Sequence, residues 1–247
     1  PMDNVYVNIP TPILNHIIDP AHHVNDQIKT GLATHYANLD LNNLYSKFRK
    51  KNDVFINTLA KEFEMRKAAA SYKKARTSET GELDMNKLYQ FRTEDNIFKR
   101  VMRMQKGKSH GMLFLLDKSS SMRSILGNSI EQLLVLVSFC RKVNIPFIAY
   151  GFGNSETAAA TYLGGRQQNC WKNTPGRNSV CFGDIQLREM ITSEMNDGVF
   201  RNSVKMLLAM REINSDGRRS TSWIRSEHLG STPLSEALIA LAPIHDE

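Results

Sequence analysis

Long hydrophobic runs are missing from this chain. No stretch approaches the roughly 20 apolar residues that a membrane-spanning helix needs, and the first residues lack the basic-then-apolar pattern of a secretory signal. Cysteine is scarce as well. Cys140, Cys170 and Cys181 are too few and too scattered for a disulfide framework, so the expected setting is reducing and cytoplasmic. No G-x-x-x-x-G-K-[ST] phosphate loop occurs, which removes nucleotide hydrolysis of that kind. No G-x-S-x-G elbow occurs either, and no histidine is placed to serve a serine nucleophile. What remains is an ordinary globular composition, 247 residues with 41% hydrophobic and 23% charged. That is enough to bury one large core or two modest ones.

The net charge of +7 is unevenly spread. Residues 1–45 hold one lysine against four aspartates, and residues 46–108 hold 17 Lys and Arg against 8 Asp and Glu. Residues 109–247 are nearly balanced, 14 against 13. The basic character therefore belongs to one middle segment and points to a local acidic partner surface. A solvated helix face and a nucleic-acid surface are the competing readings. Tyr72, Tyr89 and Phe91 lie near basic residues, but their spacing suits helix packing as well as base stacking, and no recognised nucleic-acid motif appears.

Residues 1–45, with Pro10, Pro12 and Pro20 among scattered Asn and Asp, read as an irregular N-terminal arm. The opening Pro1-Met2 reads as the trimmed start of a longer chain. A basic helical region is expected over 46–108. Its first helix runs from Asp53 to about Arg76, with Phe55, Leu59, Phe63, Arg66 and Ala70 on one stripe, and Thr80-Gly81-Glu82 breaks it. A second helix is expected from Asp84 through Tyr89. A third apolar pattern, Ile97, Phe98, Val101, Met102 and Met104, leads into Lys106-Gly107-Lys108. From 109 to 247 the rhythm becomes strand, loop, helix, strand. Residues 111–117 are an unbroken apolar run, as in a central strand covered on both faces. Ile130, Leu133, Leu134, Val137 and Cys140 have helical spacing, Asn144 ends that helix, and 145–150 reads as the next strand. This βαβ beginning implies an open, mainly parallel sheet flanked by helices. Residues 152–183, rich in Gly, Asn, Ser and Thr, read as a mobile or functional insertion. Helices are expected near 199–212 and over 234–242.

The apolar run ends in Asp117-Lys118-Ser119-Ser120-Ser121, a D-x-S-x-S loop at the carboxyl end of a strand, where such sheets place ligands. A hard cation such as Mg²⁺ seeks oxygen ligands in octahedral geometry and keeps several waters. Short hydroxyls and a carboxylate on alternate residues present Asp117, Ser119 and Ser121 to one point. The competing reading is an Asp/Ser turn that only caps the following helix.

Together with Gly230-Ser231-Thr232-Pro233-Leu234, this loop resembles two of the three loops that build the metal-ion-dependent adhesion site of a von Willebrand factor A (VWA) domain. The resemblance implies a truncated, Rossmann-like VWA domain over 109–247. It makes Thr232 a fourth oxygen ligand, and the cation Mg²⁺, or alternatively Mn²⁺ or Ca²⁺. A likeness to one branch is carried by Glu62-Phe63-Glu64-Met65-Arg66-Lys67-Ala68-Ala69, Thr80-Gly81-Glu82-Leu83-Asp84, Asp95-Asn96-Ile97-Phe98-Lys99-Arg100, His110-Gly111-Met112 and Asn144-Ile145-Pro146-Phe147. These segments resemble the CobT-type subunit of aerobic cobaltochelatase, a likeness over roughly 53–151 and 229–242. Similar proteins also occur in large tailed bacteriophages. The resemblance implies a non-catalytic adaptor that partners a MoxR-type AAA+ ATPase and holds a client protein through an acidic residue at the metal. Cobalt insertion into a corrin, in a bacterium or an infected host cell, is the associated activity. Two other classes stand beside it: a structural or assembly protein, in a virion or a cell, that reuses the scaffold, and a basic nucleic-acid-associated protein.

The family's third metal loop follows a further strand and carries an Asp. Here the chain stops at Ile244-His245-Asp246-Glu247, before that strand, so a domain lacking its C-terminal strands and a weakened site are expected. Asp216-Gly217 precedes Thr232 and is not assigned. Cys170 and Cys181 are expected as thiols in the insertion, Cys140 as core, and His22-His23 as solvated.

Overall fold

The structure is a computed structural model that describes residues 9–73, 76–83, 98–103, 111–154, 170–172, 182, 185–215 and 233–245. In chain order its elements are β1 (Thr11–Pro12), α1 (Leu14–Ile17), β2 (Ile18–Asp19), α2 (Ala21–His35), α3 (Leu41–Lys73), β3 (Arg76–Leu83) and β4 (Phe98–Arg103). There follow β5 (Met112–Asp117), a 3-10 turn (Ser120–Ser124), α4 (Leu126–Lys142), β6 (Phe147–Asn154), β7 (Trp171–Lys172), β8 (Ile185–Thr192), α5 (Asp197–Ser215) and α6 (Leu234–His245). The chain divides into two units, residues 1–56 with 111–247, and residues 57–110.

The larger unit is α/β. Its four-stranded sheet has the order β2-β8-β6-β5. β5 lies parallel to β6, from Met112 beside Phe147 to Asp117 beside Phe152, and β2 lies parallel to β8. The β6–β8 pair is antiparallel, so the sheet is mostly parallel. Helices cover both faces. On one, Leu116, Phe147, Ala149, Met190 and Ile191 pack with Val24, Ile28 and Leu32 of α2, Ile130 and Leu134 of α4, and Leu207 and Leu208 of α5. On the other, Tyr150, Phe152, Ile185 and Leu187 meet Ile17 and, from α6, Ala237, Ala240 and Leu241. Among the described residues no helix is long and apolar enough to cross a membrane.

Several local features follow the sequence closely. α4 closes where Asn144 was expected to end it. Asn144 adopts φ 54°, the left-handed region that Asn tolerates better than most side chains. Its N–H reaches the Arg141 carbonyl at 3.3 Å and the Ile145 N–H reaches the Cys140 carbonyl at 2.9 Å. This is the paired-bond closure of a Schellman motif. Cys140 is buried as expected, and burial pushes its thiol pKa up to about 11.

Residues 9–45 do not form the irregular arm expected over 1–45. Pro20 stands at the N-cap of α2, and Val24, Ile28 and Leu32, four residues apart, turn into the core. β2 adds a strand to the sheet. α3 also begins before Asp53, because the Asp40 carboxylate accepts the N–H groups of Asn42 and Asn43, both at 3.0 Å, and so caps the helix. Its buried positions are Phe48, Ile56 and Ala60, whereas Phe55 of the expected stripe is 56% exposed. β5 pairs only with β6 among the described residues, and Met112 and Leu113 are 42% and 37% exposed. An apolar run reports how a strand's faces are covered; it carries no information about which edges are paired. Cys170 is a thiol and not a disulfide, as expected, and a buried one; it faces the Ile185 carbonyl at 3.7 Å. Cys181 lies outside the described residues.

In the smaller unit, β3 and β4 form an antiparallel pair, from Arg76 beside Arg103 to Leu83 beside Phe98. Residues 98–103 are therefore strand, not the helical pattern their apolar spacing suggested. The register shifts between Glu79 and Leu83, across Thr80-Gly81-Glu82. A strand tolerates Gly best at such an irregularity. The helix expected at 84–89 lies outside the described residues.

Candidate functional site: the D-x-S-x-S loop

β5 delivers Asp117 to the carboxyl end of the β5–β6 pair, as the apolar run predicted. The strand does not stop abruptly. The Lys118 N–H still reaches the Phe152 carbonyl at 3.2 Å, so residue 118 remains tied to β6. Beyond it the chain turns on its own side chains. Asp117 Oδ1 accepts the Ser119 N–H at 2.7 Å, an Asx-type closure. The Met122 N–H reaches the Ser119 carbonyl at 3.1 Å and the Ile125 N–H reaches Met122 at 2.9 Å. α4 then starts at Leu126.

Two of the predicted oxygens meet. Ser119 Oγ and Ser121 Oγ are 2.9 Å apart, and Asp117 is joined to the same turn through the Ser119 backbone. Two oxygens bound side by side to an octahedral Mg²⁺, each at about 2.1 Å, would stand about 3.0 Å apart. The hydroxyl pair thus has the spacing of neighbouring ligands, and one carboxylate with two hydroxyls is a hard, oxygen-only donor set. Ser119 is buried, Asp117 half-buried and Ser121 exposed, so the set opens outward from the sheet. Thr232 lies outside the described residues, whereas the helix it was expected to precede is present as α6. Among the described residues no group of three or more His, Cys, Asp and Glu side chains gathers as a metal site.

A second polar constellation went unread in the sequence. Asp19, at 2% exposure, and Arg188, at 3%, are buried together in β2 and β8. Arg188 Nη2 donates to Gln27 Oε1 at 2.9 Å. The Gln27 amide nitrogen stands 3.0 Å from His23 Nε2, and His23 Nδ1 stands 2.5 Å from Asp19 Oδ1. Arg188 Nη1 lies 3.5 Å from Asp19 Oδ2, so that an ion pair and not a hydrogen bond closes the circuit. His22 is exposed as expected; His23 is half-buried, because Asp19 draws its ring inward. The available signal was the four-residue spacing of His23 and Gln27, which puts them on one face of α2, with Asp19 a further four residues back in β2. Nearby, burial raises the Glu189 pKa above the ordinary 4.5, partly offset by a hydrogen bond from the Ala21 N–H at the start of α2.

A third feature joins α3, α4 and α5. Glu131 is bridged by Lys51 Nζ at 2.6 Å and Arg211 Nη2 at 2.9 Å. Burial pushes its pKa up, but the Lys51 hydrogen bond and the Arg211 and Lys51 charges outweigh this and hold it below the ordinary value. Beside it is an open groove of about 510 Å³, with Phe55, Val135 and Leu136 among its apolar walls.

No protein-family model, no curated protein and no solved structure matches this chain.

Proposed function

We propose that this chain is a non-catalytic, divalent-cation-dependent adaptor of the VWA type, resembling the cobaltochelatase subunit that works with a MoxR-type AAA+ ATPase. The observation that carries the reading is the Ser119–Ser121 hydroxyl pair, 2.9 Å apart, in a turn closed by Asp117 at the carboxyl end of a parallel strand. The mostly parallel sheet with helices on both faces supports it. A bound cation would supply positive charge with an open coordination position, the property that attracts an Asp or Glu from a client protein.

Each residue has a distinct part. Asp117 supplies the single negative charge of the described set and also orders the turn through Ser119. Ser119 and Ser121 supply neutral oxygens, which leave the ion's charge largely unspent for the incoming carboxylate. Thr232, which opens the segment before α6, is the fourth ligand of this proposal. ATP hydrolysis belongs to the partner, in keeping with the missing phosphate loop.

The test is capture of the AAA+ ATPase encoded beside this gene, in Mg²⁺ and in EDTA, by the full natural chain and by Asp117→Ala. The expected result is capture that needs both the cation and Asp117. Capture indifferent to both, by well-folded protein, overturns the reading and favours an assembly protein that reuses the scaffold.

A further inference from the structure

The D-x-S-x-S loop contains a residue that the donor set does not use and that is nevertheless buried. Lys118 is only 4% exposed, an unusual state for a lysine. Its direction follows from strand alternation. Leu116 belongs to the core beneath α2, α4 and α5, and Leu115 packs on the α6 side. Asp117 therefore shares the side of Leu115, and Lys118 returns to the side of Leu116. There its stem crosses β6 at two glycines. A Cβ placed on Gly151 would stand 3.0 Å from Lys118 Cδ and 2.9 Å from Met190 Cε, and one on Gly153 would stand 4.0 Å from Lys118 Cβ. A side chain at Gly151 would crowd Lys118 and Met190 and force their side chains to shift.

We propose that Lys118 is the positioning residue of this loop and that Gly151 is the vacancy that admits it. The aliphatic stem acts as a peg driven into one sheet face between two ligand positions that lie on the other. With 118 pinned inward, and its N–H held by Phe152, residues 117 and 119 are forced to the opposite side. That setting brings the Ser119 N–H onto Asp117 and the Ser119 hydroxyl onto Ser121. The functional half of the inference, cation affinity, rests on the adaptor reading above; the positioning half does not.

Two readouts separate these halves. The first is hydrogen exchange of the Ser119 amide by NMR in metal-free protein, which reports the turn itself. The second is Mn²⁺ binding by electron paramagnetic resonance, with thermal melting to verify that each variant is folded. Lys118→Ala and Gly151→Val are expected to speed Ser119 exchange at least about tenfold. They should also weaken Mn²⁺ binding about 10- to 100-fold, the range seen when groups that orient metal ligands are removed. Lys118→Met keeps the stem and is expected to stay within about threefold of the parent in both readouts. Folded Lys118→Ala with parental exchange and affinity overturns the proposal. Lys118→Met as impaired as Lys118→Ala overturns the assignment of the role to the stem. A parent chain that binds no Mn²⁺ overturns the cation reading, and Ser119 exchange then decides the positioning claim alone.

Discussion

Two polar clusters stand on opposite strands of the same sheet, one at β5 and one at β2, and they are built on contrary principles. The Asp19–His23–Gln27–Arg188 cluster buries both its charges, Asp19 and Arg188, and joins its side chains to one another. The Asp117 loop orders itself through bonds between near neighbours in the chain, and leaves Ser121 exposed. Burial of a mutually bonded set holds elements together; an ordered but open set of oxygens is suited to receive something. The presence of a carboxylate does not separate the two, since each contains one aspartate. The direction of their hydrogen bonds does.

That contrast is sharpest in stability. Arg188→Ala leaves Asp19 buried without its cation, and the loss should be about 3–5 kcal/mol, the usual cost of breaking a buried pair. Urea unfolding would measure it. A loss below about 1 kcal/mol would mean that the cluster does not anchor α2.

Smaller effects should appear with pH, and they run in opposite senses. Glu131 has a lowered pKa, so its stabilisation is present above the ordinary value and is lost as pH falls through the lowered one. Glu131→Gln should therefore cost about 1 kcal/mol at pH 7, a deficit that fades on acidification. Glu189 has a raised pKa. The folded chain holds its proton more tightly than the unfolded chain does, so this contribution is full below the ordinary value of 4.5 and is lost as pH rises through the raised one. Glu189→Gln should then be neutral or slightly stabilising at pH 7, and should converge on the parent in acid. Melting temperatures of both variants between pH 4 and 8, roughly the span of these titrations, would show two curves sloping oppositely against the parent.

The smallest stability effect belongs to the open cluster. Asp117→Asn keeps an oxygen for the Ser119 N–H and removes the charge. Metal-free stability should change by less than about 0.5 kcal/mol, while Mn²⁺ affinity should fall at least about tenfold if the adaptor reading holds. A large stability loss would make the loop a second anchor and erase the comparison.

What was legible in the sequence follows from the same contrast. β5, α4, β6, α5 and α6 announce themselves through apolar runs or helical spacing, and the D-x-S-x-S loop is read directly because its oxygens are neighbours in the chain. β8 was not assigned. Its buried positions include Gln186 and Arg188, so the polarity of Ile185–Thr192 does not follow burial. Arg188 is tolerated inside only because Asp19 and Gln27, more than 160 residues earlier, meet it there. β2 is two residues long, too short for any periodicity. α2 is marked by only three apolar turns among Asn, Asp and His. Contacts of such long range leave no local trace, whereas a loop that orders itself does.

The buried circuit also has a polarity. Arg188 can only donate and the Asp19 carboxylate can only accept, so the links run one way, through the Gln27 carbonyl and amide and then the imidazole. A sequence of donors and acceptors that cannot be reversed works like the cut edge of a key. Sliding α2 by one turn, about 5.4 Å, would bring His23 to the guanidinium in place of the Gln27 carbonyl and leave Asp19 facing the wrong neighbour. Apolar packing of Val24, Ile28 and Leu32 would tolerate such a slip, because their spacing repeats; the circuit does not repeat, and it therefore sets the one position along the sheet at which α2 can rest.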